Sequence, residues 1–182
     1  MSDVYLGLDV STTHVGYALL DSSAQLLNYG TINLTSKSFA DELDKYVFIK
    51  DKLEEIKKEF KPNKIFIETA LMVFKFGRSS ASVLQKLNRF NGAVTLLCFQ
   101  IFDLKPNFIG ATQARKMCGI IIPKGSKVKQ IVVQFLLDKE ASFKVQYTSK
   151  GNIKPSCFDS ADAIVIAKAG LLLSCLKKKS KS

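Results

Sequence analysis

Residues 4–34 form three short apolar runs separated by polar turns. The first two runs, Val4 to Val10 and Val15 to Asp21, are rich in β-prone residues and are joined by Ser11-Thr12-Thr13-His14, a pattern typical of a hairpin. The third run, Ala24 to Leu34, follows the turn Ser22-Ser23. The pattern therefore predicts three consecutive strands that can pair antiparallel.

From Ser38 onward the apolar spacing becomes mostly helical. Apolar residues recur at three- and four-residue intervals up to Phe60, with charges between them, which predicts an amphipathic helix that ends at Pro62-Asn63. The segment Lys64 to Glu68 (KIFIE) then predicts a short buried strand with an acidic last residue. The remaining predicted elements are a helix over Ser79–Phe102 capped by Ser79 or Ser80, a strand in Asp103–Ile109 starting near Pro106, a short helix over Ala111–Cys118, a helix over Ser126–Asp138 capped by Ser126, a surface loop over Lys139–Ser156 and a final helix over Asp159–Leu176.

This order of elements suits an α/β fold with a mixed five-stranded sheet and helices on both faces. The 182 residues fit one domain, which we place at residues 1–176. Residues 177–182 are only Lys and Ser, and they predict a basic, disordered tail.

Charge is the first unusual property of the composition. The formal net charge is +11, and residues 71–137 hold ten Lys or Arg but a single acid, Asp103. The alternative is a basic face that serves only solubility. Segregation of this kind favours a surface that contacts phosphate, so we expect a nucleic-acid partner.

The four cysteines are widely spaced, and with one histidine they provide no plausible zinc site. We expect reduced, mostly buried thiols and a soluble, cytoplasmic protein associated with DNA. The apolar run from Ala161 to Leu176 is interrupted by Asp162 and Lys168 and is too short for a membrane span. No membrane partner is expected.

Four acids occupy positions where carboxylates are unfavourable. Asp9 lies inside an apolar strand, Glu68 ends another, and Asp159 and Asp162 share one face of an apolar helix. For either strand acid alone, a hydrogen bond or a lysine partner is the common explanation. If the first and fourth strands are adjacent and the last helix packs at that edge, all four acids meet. Divalent metal then resolves their repulsion, and oxygen ligands favour Mg²⁺ or Mn²⁺.

Three segments, in order along the whole chain, resemble the motifs of the RuvC-type Holliday-junction resolvases. GLDVSTTHVGYALLD resembles their first hairpin, in which an acid precedes a turn and a Gly-Tyr second strand. FIETAL resembles the second motif, an acid that ends the fourth strand. CFDSADAIVIAKAG resembles the last motif, a D-x-x-D sequence that opens a helix rich in Ala and Ile. The resemblance implies an RNase H-like fold and acids at all four expected positions.

The same resemblance implies a homodimeric endonuclease that nicks opposing strands of four-way and other branched DNA junctions in recombination and repair. Asp9, Glu68, Asp159 and Asp162 would be catalytic residues that bind two Mg²⁺ ions per active site, with Mn²⁺ as a substitute. Two such ions can activate a water and stabilise the leaving oxygen of a phosphodiester.

Basic residues flank the site of this family, and Lys116 and Lys127 resemble them. We assign Lys127 as a catalytic residue that neutralises the scissile phosphate, although Lys124 or Lys129 could serve instead. A solvated surface charge is the alternative for each lysine.

The family often carries an aromatic wedge shortly after the second acid, whereas this chain has Leu71 there, followed by Phe74 and Phe76. Aromatic residues that alternate with basic ones suit base stacking and phosphate contact, and the alternative is that they pack in the core or at the dimer interface. The predicted DNA contacts are Phe74, Lys75, Phe76, Arg78, Lys86, Arg89, Arg115, Lys116, Lys124, Lys127 and Lys129.

Two other functions remain open at this point. One is an RNase H-like nuclease of flaps or RNA–DNA hybrids, and the other is a non-catalytic module that binds branched DNA. An intact set of four acids favours an enzyme over the binding module. His14, in the first turn, is expected to be a solvent-exposed histidine.

Overall fold

The computed structural model describes residues 3–69 and 81–179, except for the side chains of Lys178 and Lys179. Within these residues the strands are β1 (Val4–Val10), β2 (His14–Asp21), β3 (Leu26–Asn33), β4 (Lys64–Glu68) and β5 (Asn107–Ile109). The helices are α1 (Glu42–Phe60), α2 (Ala81–Phe102), α3 (Ala111–Met117), α4 (Val128–Lys139) and α5 (Pro155–Lys179).

The strands form one sheet in the order β3-β2-β1-β4-β5. β1 pairs antiparallel with β2, and β2 pairs antiparallel with β3, as expected for strands joined by short turns. β4 runs parallel to β1 on one side and to β5 on the other. The predicted mixed five-stranded sheet is confirmed, and β1 and β4 are neighbours, which is the condition under which Asp9 and Glu68 meet.

The sheet separates two apolar cores, because successive side chains of a strand point to opposite faces. Leu6 and Leu8 of β1 pack on one face with residues of α1 and α2. Tyr5 and the β4 residue Phe66 pack on the opposite face with residues of α3, α4 and α5. Helices therefore cover both faces, as predicted. Asp9 is four positions after Tyr5, and Glu68 is two positions after Phe66. Both acids therefore point to the same face as these residues, the face that α5 covers.

Helix α5 is the most buried helix of the structure, with all residues from Ala163 to Ala167 buried. It begins at Pro155, four residues earlier than predicted, because proline is well suited to the first helical position. It also continues to Lys179, into the segment assigned to the tail. No helix in the described ranges is long and apolar enough to cross a lipid bilayer.

Other predicted boundaries are shifted by capping. Helix α1 begins at Glu42 rather than Ser38, because the Asp41 carboxylate accepts hydrogen bonds from two backbone N–H groups of the first turn. The prediction that Ser126 caps α4 is wrong, since the N-cap is Lys127 and its side chain makes no capping hydrogen bond. The predicted loop before α5 contains one antiparallel bridge, between Tyr147 and Ile153.

The cysteines are free thiols, as predicted. Cys98 and Cys157 are buried, Cys118 is half-buried and Cys175 is exposed. Burial raises the pKa of the Cys98 thiol to about 12, so this thiol stays protonated and packs as an apolar side chain.

The close approach of α5 to the sheet depends on glycines in β1 and β2. A Cβ atom on Gly7 would lie 2.5 Å from the carbonyl oxygen of Ala163, and one on Gly16 would overlap the carbonyl group of Asp159. Because these obstacles are helix backbone, they cannot move aside as a flexible side chain would. Gly7 and Gly16 therefore set the depth at which α5, and with it Asp159, lies on the sheet.

We expect the Gly16→Ala substitution to destabilise the protein by about 1–3 kcal/mol through overpacking against α5. In a domain of this size this lowers the melting temperature by roughly 2–12 °C. Gly92→Ala is the matched control, because a Cβ atom at Gly92 meets no atom within 4 Å. Differential scanning calorimetry of both variants measures the effect. Equal melting temperatures for wild type and Gly16→Ala would contradict the packing described here.

Candidate active site

Three separate parts of the chain bring the four predicted acids together. Asp9 is the penultimate residue of β1, next to the β1–β2 turn. The parallel register that pairs Leu8 with Ile67 places Glu68 beside it. Asp159 and Asp162 lie near the start of α5, which crosses the same face of the sheet above Gly16. All four side chains are half-buried. The predicted meeting of the acids at one edge therefore occurs.

The acids line one open cleft with a volume of about 1010 Å³. Its other walls come from the β1–β2 turn, from α2, and from the starts of α3 and α4. The lining residues are Asp9, Val10, Ser11, Thr13, His14, Glu68, Thr69, Leu87, Asn91, Gly110, Ala111, Thr112, Arg115, Val128, Lys129, Asp159 and Asp162.

Hydrogen bonds hold the end of β4, where Glu68 lies. The backbone N–H of Thr69 donates to the carbonyl oxygen of Ile109 at 3.0 Å. The Asn91 side chain, only 6 % exposed, donates from Nδ2 to the carbonyl oxygen of Glu68 at 3.4 Å. Asn91 was not among the site residues predicted from the sequence. An amide at a core-facing position of α2, next to Phe90, is the signal that could have identified it.

Burial and mutual repulsion disfavour the charged forms of three carboxylates of the cleft, those of Asp9, Glu68 and Asp162. Burial, and then the neighbouring Glu68, Asp162 and Asp159, raise the pKa of Asp9 to about 8. Burial and then Asp162 raise the pKa of Glu68 to about 7. Burial also raises the pKa of Asp162. The cleft therefore concentrates negative charge that its own residues only partly compensate.

Two basic residues inside the cleft oppose this repulsion. Lys129 Nζ lies 3.1 Å from Asp159 Oδ1, and its charge lowers the pKa values of Asp9, Glu68 and Asp162. Arg115 lowers the pKa values of Glu68 and Asp162. Both residues were predicted as DNA contacts, and the structure places both beside the acids.

Lys127, the predicted catalytic lysine, does not line this cleft within the described residues. It is the exposed N-cap of α4, whereas Lys129 is the second residue of the helix. Positions two apart at a helix start point to roughly opposite sides, since each residue turns the helix by about 100°. Of the lysines weighed for this position, Lys129 is the one that reaches the acids.

His14 differs from its predicted exposed state. It is the first residue of β2, its side chain is 23 % exposed, and its Nδ1 lies 3.9 Å from Asp159 Oδ2. Its Nδ1 also lies 3.1 Å from Thr13 Oγ1. His14 lines the cleft because a hydrogen bond closes the turn before it. The backbone N–H of His14 donates to Ser11 Oγ at 3.0 Å.

The other predicted DNA contacts lie at different distances from the acids. Lys116 is exposed in a neighbouring groove, and Lys124 is exposed in the loop before α4. Lys86 and Arg89 on α2 instead pair with Glu42 of α1, with the Arg89 guanidinium 2.8 Å from its carboxylate. Phe74, Lys75, Phe76 and Arg78 lie outside the described residues.

The side-chain oxygens of the cleft are chemically suited to bind a divalent metal ion. It consists of carboxylate oxygens, the ligands that Mg²⁺ and Mn²⁺ prefer, and the raised pKa values mean that a bound cation would relieve unfavourable charge. Within residues 3–69 and 81–179, no three or more His, Cys, Asp or Glu side chains already stand in metal-binding geometry. At least one carboxylate would have to rotate toward an ion.

We expect Asp9 to make the metal-free protein less stable as the pH rises. Its pKa is 3.8 in the unfolded chain and about 8 in the fold. Between these values the unfolded state releases the proton that the folded state keeps, so unfolding becomes more favourable with increasing pH. Asp9→Asn should therefore raise the melting temperature at pH 8 in EDTA by at least about 3 °C. Its advantage should shrink toward pH 5.

Thermal melts at pH 5 and pH 8 measure this effect, with Asp51→Asn at an exposed position of α1 as the control. If the melting temperatures of Asp9→Asn and wild type differed by the same amount at both pH values, the pKa of Asp9 would not be raised in the fold.

Solved structures with this arrangement of strands and helices include Holliday-junction resolvases. Thermus thermophilus RuvC in complex with a Holliday junction substrate matches with a TM-score of 0.65 and 20% identity, over 96% of each chain. A further T. thermophilus RuvC structure matches with a TM-score of 0.65 and 18% identity, again over 96% of each chain. The yeast mitochondrial Holliday junction resolvase Ydc2 matches with a TM-score of 0.62 and 16% identity, over 96% of this chain and 80% of that chain.

No protein-family profile matches this sequence, and no curated protein is significantly similar to it. Sequence identities of this size show that the folds are the same. Because one fold can carry many functions, the chemistry follows from the residues of the cleft. The match extends over nearly the whole chain, so it includes the sheet and the helices on both of its faces. The chain has the RNase H-like fold of the RuvC-type Holliday-junction resolvases.

Proposed function

We propose that this protein is a metal-dependent endonuclease that nicks opposing strands of four-way and other branched DNA junctions. One observation carries the proposal: four carboxylates from three parts of an RuvC-like fold line a single open cleft that basic residues border. A protein that only bound DNA would gain nothing from carboxylates facing phosphate, because they repel it. The acid cleft therefore favours an enzyme over a binding module.

Asp9, Glu68, Asp159 and Asp162 would hold the metal, as two Mg²⁺ ions per site with Mn²⁺ as a substitute. When bound, such a pair activates a water and stabilises the leaving oxygen of a phosphodiester. The buried Asn91 amide fixes the backbone at Glu68, so this carboxylate keeps its place at the sheet edge. The cleft is open, which suits a DNA strand rather than a small enclosed substrate.

Lys129 and Arg115 are the residues that we assign to the scissile phosphate. In the protein alone Lys129 pairs with Asp159, yet its side chain is 57 % exposed and can turn toward a strand in the cleft. Arg115 lines the cleft from α3, where its Nη2 donates a long hydrogen bond of 3.4 Å to Thr112 Oγ1. A guanidinium offers two parallel donors to a phosphate. Both cations would offset the charge that the acids bring.

The net charge of +11 supports contacts with DNA beyond the cleft. Lys116 and Lys124 extend the basic surface from Arg115 along α3 and the following loop. We expect binding to weaken steeply with salt, because each neutralised phosphate releases condensed counterions. A second copy of the chain is needed to cut two strands symmetrically, so the proposed active form is a homodimer.

A substrate panel tests the proposed substrate class. The purified protein is incubated with Mg²⁺ and equimolar four-way junction, duplex, 5′-flap and RNA–DNA hybrid carrying the same sequence. We expect the junction to be cut at least about 10-fold faster than the other substrates, a preference worth roughly 1.4 kcal/mol. Faster cleavage of flaps or hybrids would replace the substrate with that of a related nuclease. Binding of junctions without cleavage in either Mg²⁺ or Mn²⁺ would support a binding module.

A further inference from the structure

A second groove adjoins the acid cleft, between α3 and α4. Its volume is about 410 Å³, and it shares three wall residues with the cleft: Thr112, Arg115 and Val128. The other wall residues are Lys116, Gly119, Ile120, Ile121 and Ile122. We name it the isoleucine groove. Because the walls are shared, the groove is continuous with the cleft.

The loop after α3 holds Ile121 out toward solvent. Ile121 is 84 % exposed, whereas its neighbour Ile120 is 6 % exposed and belongs to the core under α5. Ile122 packs against the same core. The Ile120 N–H donates to the carbonyl oxygen of Arg115 at 2.9 Å. Ile121 is therefore fixed on both sides and presented by its backbone, rather than exposed by a loose loop.

Glycines give the loop this shape. Gly119 has φ +73, a left-handed conformation that lets the chain turn directly after α3. Its N–H donates to the carbonyl oxygen of Lys116 at 3.1 Å, which closes the helix end. A second left-handed glycine, Gly125 with φ +83, turns the chain toward α4. The loop between them keeps Ile121 at the rim.

The walls of the isoleucine groove combine two chemistries. One wall is aliphatic, formed by the three consecutive isoleucines, and the other carries the cations of Arg115 and Lys116. A nucleotide has the matching pair of features, an apolar base face and an anionic phosphate. Aliphatic side chains are known to insert between base steps and unstack them, at a cost of a few kcal/mol per step. That cost is lower where bases are already poorly stacked.

We propose that the isoleucine groove receives one unstacked nucleotide of the branched DNA, next to the scissile phosphate that Arg115 would bind, with its base against Ile121 and its own phosphate on Lys116. This inference rests on the proposed function, because the groove is continuous with the cleft where the strand is cut. The branch point supplies bases with incomplete stacking, so the groove selects branched DNA over uniform duplex. Ile121 thereby contributes to substrate selection rather than to the chemistry.

The test uses four-way junctions that carry 2-aminopurine, one position at a time, in the nucleotides around the branch point. The fluorescence of 2-aminopurine rises when the base loses its stacking partners. Wild-type protein, in Ca²⁺ to prevent turnover, should raise the fluorescence at one position. Ile121→Ser should lose at least half of that rise and bind the junction roughly 5-fold more weakly. Ile121→Leu should retain both properties.

Val47→Ser is the matched control, because Val47 is 60 % exposed on α1, which packs against the opposite face of the sheet. It should behave as wild type. Because Ile121 is so exposed, its replacement leaves the core intact, and unchanged melting temperatures verify this.

Two results would overturn the inference while leaving the proposed function in place. One is an undiminished fluorescence rise and affinity in Ile121→Ser. The other is a change in the sedimentation mass of that variant, which would make Ile121 a protein contact. A wild-type protein that neither binds nor cuts junctions would remove the proposed function and this inference together.

Discussion

Replacing Glu68 with Gln is expected to reduce junction cleavage by roughly 1,000-fold while junction binding stays within about twofold of wild type. The amide keeps the size of the side chain and removes one negative charge at the end of β4. Under the proposed function binding depends on the basic surface, so it should persist or strengthen slightly as the repulsion of phosphate falls. Single-turnover cleavage and fluorescence-anisotropy binding measure the two effects separately.

Glu54→Gln is the matched control for this prediction. Glu54 lies on α1 and pairs with Lys50 at 3.0 Å on the surface, outside the cleft. Its loss should leave cleavage unchanged, since exposed pairs contribute little. Wild-type cleavage by Glu68→Gln would remove Glu68 from the ligand set. Loss of binding in parallel with cleavage would show that the variant has lost its fold or that the acid acts in binding.

The second large effect is expected at Lys129. Lys129→Ala should slow cleavage about 100-fold, because a cation directed at the reacting phosphate is removed. The charge-conserving Lys129→Arg should retain part of the activity. Lys127→Ala changes the same net charge two residues away and should slow cleavage less than about threefold. The comparison is made as single-turnover rates at saturating protein, so that differences in affinity do not enter.

This pair of variants discriminates between the sequence-based assignment and the structural one. Equal losses in Lys127→Ala and Lys129→Ala would mean that both lysines act through the general field of the surface. A larger loss in Lys127→Ala would restore the assignment made from the motif resemblance and contradict the role of the Lys129–Asp159 contact.

The strands, and the face that Asp159 and Asp162 share, were predictable because they follow from simple periodicities, whereas the meeting of all four acids also required β1 and β4 to be neighbours and α5 to pack at that edge. The run YLGLDV and the run KIFIE each predict a buried strand with an acid near its end. The parallel pairing that places Asp9 beside Glu68 was a condition of the prediction, and the structure meets it. The spacing of Asp159 and Asp162 fixes them on one helix face. These relations hold whatever the exact ends of the elements are.

Details that depend on where a helix begins were not predictable to the residue. The choice between Lys127 and Lys129 is decided by α4 starting at Val128, and Ser126 offered a stronger capping signal that the fold does not use. His14 was expected in solvent because turn residues usually are, whereas the Ser11 hydrogen bonds and the closeness of α5 draw it into the cleft. Tertiary packing determined both outcomes.

The isoleucine groove had no sequence signal that separates it from an ordinary core segment. Three consecutive isoleucines predict burial, and two of the three are indeed at least partly buried against α5. Only the left-handed Gly119 and the backbone hydrogen bonds after α3 reveal that Ile121 points outward. Such exposure depends on backbone conformation, which hydrophobicity patterns do not record.

The decisive measurement for the proposed function is cleavage of a mobile four-way junction by purified wild-type protein, in Mg²⁺ and in EDTA. Each of the four strands is end-labelled in turn, and the nick positions are mapped. We expect paired nicks at symmetric positions in two opposing strands, in Mg²⁺ only. An intact junction in both Mg²⁺ and Mn²⁺ at protein concentrations that saturate binding would contradict it, as would equal cutting in EDTA.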